Sequence, residues 1–144
     1  MNVIETLQKS ITACPLMAKF NELHIDYTEP NDGQAGLFFN GTSMVGQTVS
    51  GDSKWTARFV LYTFCETFED YQRLSASNLL LELTYYLQSL NGIEITETVN
   101  GEERTGEIQN VTASNGMLYR LVNANYDKGG QYQIQVSVNY TIYE

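Results

Sequence analysis

The sequence predicts a single α+β domain, a mostly antiparallel sheet with two main helices packed on it, and three observations carry that reading. Apolar residues recur at helical spacing in two places, near the start of the chain and between about residues 68 and 90. Elsewhere they alternate with polar ones, most clearly in the run Tyr132, Ile134, Val136, Val138, Tyr140, Ile142. The order is helix, several strands, long helix, several strands. That is not the strict β-α alternation of a parallel sheet.

The first helix opens at Asn2, whose side chain can cap it, with Glu5 three residues on. Val3, Ile4, Leu7 and Ile11 then share a face. Cys14-Pro15 interrupts the pattern, because a residue before proline avoids the α region. Pro15 can itself start a short helical piece, with Leu16, Phe20 and Leu23 on one side.

Strands follow. Ile25 and Tyr27 alternate before the turn-rich residues 29–33, and Leu37-Phe38-Phe39 runs into Asn40-Gly41, a two-residue hairpin signal. Residues 42–52 are small and polar but hold Met44, Val45 and Val49, and read as a partly extended, mobile hairpin arm or loop. Residues 53–64 make a long strand, with Trp55, Ala57, Phe59 and Leu61 pointing one way. Its second half is apolar on both faces, as a central strand requires.

The long helix is expected from about Phe68, capped by Thr67. Ala76, Leu79, Leu80, Leu83, Leu87 and Leu90 form its stripe, and Asn91-Gly92 its end. After it, strands are expected up to Asn100-Gly101, from 107 to 113, from 117 to 124 across an Asn115-Gly116 hairpin, and through the closing run.

Composition narrows the function. A chain of 144 residues with 17 acidic and 8 basic side chains carries a net charge of −9. A duplex reader needs cations to displace counterions from phosphates, so this balance argues against one. The start of the chain has neither the basic nor the apolar stretch of a secretory signal, and no apolar run is long enough for a bilayer, so a soluble, cytosol-made protein is expected. Cys14 and Cys65 lack metal or redox spacing and read as free buried thiols.

No catalytic constellation emerges. His24 is the only histidine, and Asp26 two residues away merely shares its strand face. Glycines fall in turns and not in a phosphate-cradling loop. Glu29, Asn31, Asp32 and Gly33 resemble a calcium loop only as far as any turn does. No cofactor and no metal are expected.

The closing strand is more informative. Opposite its apolar face it reads Gln131, Gln133, Gln135, Ser137, Asn139, Thr141, without a charge. Exposed edges usually carry Lys or Glu against unwanted pairing. Either this strand is central with its polar face partly covered, or another subunit protects it. Arg58 and Arg120 sit mid-strand, where the ordinary reading is solvation. In an assembly they could pair with a neighbour's carboxylates. The candidate interface residues are therefore Met44, Val45, Arg58, Arg120, Gln133, Gln135 and Asn139.

Three segments give the chain a family likeness. They are the first helix ending at Cys14-Pro15-Leu16, the passage WTARFVLYTFCETFEDYQRLSASNLLLELTYYL at 55–87, and GQYQIQVSVNYTIYE at 130–144. In this layout the chain resembles small tail-terminator or tail-completion proteins of long-tailed bacteriophages and prophages, including minor capsid-type proteins. The resemblance implies a subunit of a hexameric ring that caps the tail tube and helps join tail to head. Its partners would be copies of itself, the tail tube protein and head–tail connector proteins, with DNA only as passing cargo. It would reside in the host cytoplasm during assembly and then in the virion tail. The alternatives are a head–tail connector or neck protein, or a small-ligand or peptide-binding domain with a tyrosine-lined pocket.

Overall fold

A computed structural model describes residues 1–19, 23–25, 35–65, 70–121 and 130–144. It has the α+β architecture: a six-stranded sheet with helices on one face. Helix α1 (Val3–Thr12) is capped as its first residues dictate, the Glu5 amide donating to Asn2 Oδ1 at 2.9 Å. It ends before a 3-10 turn at Pro15–Lys19. Helix α2 (Asp70–Gln88) presents Leu80, Leu83 and Leu87 to the core and stops short of Gly92, whose φ of 65° suits glycine. Its expected cap at Thr67 lies outside the described residues, as do Phe20, Tyr27, Phe68 and the turn at 29–33.

The strands are β1 (Leu23–Ile25), β2 (Ala35–Gln47), β3 (Ser53–Cys65), β4 (Ile93–Val99), β5 (Glu102–Leu121) and β6 (Gly130–Ile142). They lie in the order β1-β2-β3-β6-β5-β4. Every neighbouring pair is antiparallel except β1 with β2.

The period-two patterns of β3 and β6 decide which face is buried. Phe59 lies opposite Val136 and Leu61 opposite Ile134, and all four are buried with Leu7, Ile11, Leu83 and Leu87. One hydrogen bond ties the helices together: Tyr86 Oη donates to the Ser10 carbonyl at 2.6 Å. Cys14 is buried and free, as its spacing implied. The Cys65 side chain lies outside the described ones.

Of the four Asn-Gly pairs, Asn91-Gly92 follows α2 and the other three, among the strands, behave in two ways. Asn100-Gly101 makes the β4–β5 turn, with φ of 53° and 83°, the left-handed geometry of a tight hairpin. The turn expected at Asn40-Gly41 does not form. Strand β2 runs through that pair, with a register shift between Phe39 and Thr42, and Gly41 takes a φ of 100°. The hairpin expected at Asn115-Gly116 is likewise replaced by a register shift between Ser114 and Met117 inside the continuous β5. Residues 42–52, expected as a partly extended hairpin arm or loop, form the extended end of the β2–β3 hairpin: 42–47 continue β2 alongside β3 and the turn falls at 48–52.

The closing strand is central. Hydrogen-bonded to β3 on one side and β5 on the other, β6 has no open edge, so its lack of charge needs no edge protection.

Candidate functional site: the open face and the β2 edge

The side chains that alternate with the core residues of β3, β5 and β6 form the second face of the sheet, away from the helices. Cross-strand register sets it out in rows. Thr56, Asn139 and Asn110 make one, Arg58, Ser137 and Thr112 the next, then Val60, Gln135 and Ser114. In the first row Thr56 Oγ1 donates to Asn139 Oδ1 at 2.6 Å, and Asn139 Nδ2 donates to Asn110 Oδ1 at 2.6 Å. The chain of bonds runs one way across the sheet, so the Asn110 amide keeps its own N–H groups uncommitted. One row further along, Lys54 lies beside Thr141, which lies beside Glu107.

At the other end of this face Phe38 and Tyr62 meet edge to face, ring centroids 5.3 Å apart. Between these ends Arg58 is exposed. Its Nη1 lies 3.5 Å from Ser43 Oγ, and no carboxylate is within ion-pair distance among the described residues.

The β2 edge is the second element. Strand β1 borders only Ala35, Gly36 and Leu37, so residues 40–47 have β3 alone beside them among the described residues. No Asp, Glu, Lys or Arg stands between 33 and 51. Met44 and Val45 are 56% and 69% exposed there, and Val49 in the turn is fully exposed. The opposite edge differs: the Thr96 amide on β4 donates to the Met1 carbonyl at 2.9 Å, and Glu97 Oε1 accepts from the Val3 amide at 2.7 Å.

These positions distribute the sequence-derived candidates. Met44 and Val45 lie on the free edge, while Arg58, Gln133, Gln135 and Asn139 lie on the open face. Arg120 pairs through its backbone with Gln131, and its side chain lies outside the described ones. Along β6, Gln131 is six residues from Ser137, about 20 Å, so the two arginine positions do not meet. His24 belongs to the short β1, and its side chain also lies outside the described ones.

Sequence reasoning missed Lys54, Asn110 and Glu107. The signal was present in β3, where Lys54 alternates with Trp55. In β5 the register shift between Ile108 and Asn110 moves the alternation by one residue and obscures it. Between β2 and β5, Lys54 and Asn110 line an open cleft of about 490 Å³, with Val45, Trp55 and Asn139 on its walls.

The site offers hydrogen-bond donors, one ammonium and an apolar edge, which suit recognition of another surface. Among the described residues no group of His, Cys, Asp and Glu is arranged to hold a metal. No helix among them is long and apolar enough to cross a membrane. Tyr143 Oη donates to Glu107 Oε2 at 3.0 Å, and that bond to a carboxylate raises the tyrosine's pKa. No family model matches the chain, and no curated protein matches it in sequence.

Proposed function

We propose that this chain is a structural subunit of a long-tailed phage or prophage tail, forming a ring that caps the tail tube and contributes to head–tail joining. The observation that carries the reading is the uncharged β2 edge at residues 40–47, with Met44 and Val45 exposed on it. An unprotected strand edge is a template for another strand. A head-to-tail contact that repeats by rotation closes into a ring. Neighbouring copies and the tube protein are the partners this edge would serve. The acidic charge keeps passing DNA from adhering.

The test is assembly. Size exclusion with light scattering and negative-stain microscopy, with and without the tail tube protein, should show rings for the wild type. Met44→Glu with Val45→Glu should leave the chain folded and abolish the rings. In a prophage lacking the gene, tails should fail to join heads until the wild-type chain is supplied. A wild type that stays monomeric with tube present, or normal phage yield without the gene, would overturn the reading.

A further inference from the structure

The open face carries a second, independent pattern. Its basic and acidic side chains are segregated by strand. Lys54 stands on β3, and Glu107 stands two strands away on β5 in the same row, with Thr141 of β6 between them. Two strand spacings are about 10 Å, and within the chain Lys54 and Glu107 do not pair. Among the described residues Lys54 has no carboxylate partner. Glu107 accepts from the neutral Tyr143 hydroxyl but faces Glu94 across the β4–β5 ladder, and like charges directly opposite are destabilising. A cation without an anion and an anion pair without a cation share one face of one molecule.

We infer that the open face pairs with the open face of a second copy about a two-fold axis running along β6. Such an axis reverses each row onto itself. Lys54 of one copy then opposes Glu107 of the other, and the second Lys54–Glu107 contact follows by symmetry. Thr141, buried at 6% exposure, lies beneath the axis between the two charged side chains. The neighbouring row is complementary in the same sense. Its bonds run Thr56 to Asn139 to Asn110, so the uncommitted Asn110 amide of one copy opposes the Thr56 hydroxyl of the other. Sheets packed in this way keep their strands within about 30° of alignment, so the rows nearest the axis hold their register. A second copy is the occupant that the charges select, because the acid each Lys54 lacks stands in the same row of an identical face.

This pairing does not depend on the tail reading, and it uses none of the β2 edge. Sedimentation equilibrium tests it, with the dimer constant measured at low and high salt. Lys54→Glu should weaken the dimer about tenfold or more at low salt. Lys9→Glu, which changes the net charge from −9 to −11 equally but lies on α1, should leave the constant nearly unchanged. Lys54→Glu combined with Glu107→Lys exchanges the two charges and should restore dimerisation, with thermal unfolding confirming that each variant folds.

A wild type without a dimer at any concentration overturns the pairing, as do Lys54→Glu matching Lys9→Glu and a double variant that fails to recover. Rings that form normally from a wild type whose dimer is unaffected by Lys54→Glu would overturn the pairing and leave the tail reading standing. A dimer that persists when Met44→Glu and Val45→Glu have abolished rings would support the pairing as a separate contact.

Discussion

The hydroxyl of Tyr140 on β6 reaches across β3 to Thr42 on β2, 3.0 Å from its Oγ1. Thr42 Oγ1 in turn lies 3.1 Å from the Thr56 carbonyl, to which it donates, leaving Tyr140 as the donor to Thr42. Ala57, paired with Thr42 on one side and Val138 on the other, is the small residue on β3 that leaves room for the reach. This bond fastens the outer half of β2 to the middle of the sheet, past a register shift that would otherwise loosen it.

Tyr140→Phe should therefore cost about 1 kcal/mol, the usual net worth of one such bond. The loss should be concentrated in residues 42–47. Hydrogen exchange should show faster exchange there than in the wild type, with the β3–β6 ladder unchanged.

Thr63 is buried at 1% exposure, and its hydroxyl has no hydrogen-bond partner. Threonine and valine have nearly the same shape. Thr63→Val removes an unsatisfied polar atom without opening a cavity, and it should raise stability by about 1 kcal/mol in urea unfolding.

Gly106 has no room for a side chain. A Cβ there would lie 2.3 Å from the Thr141 carbonyl oxygen and 3.3 Å from Ile142 Cα, both backbone atoms of β6. Gly106→Ala should force β5 away from β6 and cost about 1–3 kcal/mol. Gly46→Ala, where nothing lies within 4 Å, is the matched control and should be nearly neutral.

Alkaline pH should destabilise the fold through two tyrosines. Burial raises the pKa of Tyr86 above 10.0, with Cys14 adding to it. Burial also raises that of Tyr140, with Glu97 adding. Above about pH 10 the unfolded chain loses these protons while the native chain still holds them, so stability falls as pH rises through that range. Urea midpoints between pH 9 and 11.5 should decline. The decline should be shallower in Tyr86→Phe and Tyr140→Phe.

Much of the fold was legible in the order of residues. Leu7 and Ile11, Leu83 and Leu87, and the even-numbered run from Tyr132 to Ile142 all point where their spacing says, since burying one face is a requirement that each element meets locally. The candidate site was legible only in part. Gln135, Asn139 and Arg58 were on the expected face, but their partners Asn110 and Thr112 come from β5, beyond a shift in register that spacing does not reveal.

The sequence alone determined the α+β class, the two amphipathic helices and the buried face of β3 and β6, because hydrophobic periodicity acts within a segment. Tertiary structure decided what each Asn-Gly pair does. The same dipeptide turns the chain at Asn100-Gly101, yet at Asn40-Gly41 and Asn115-Gly116 it coincides with a shift in strand register. Gly41 and Gly101 both take a positive φ, one in a strand and one in a turn, so the choice falls to whether a long neighbouring strand is there to pair past the dipeptide. For β2 and β5 those neighbours are β3 and β6, and only the assembled sheet brings them alongside.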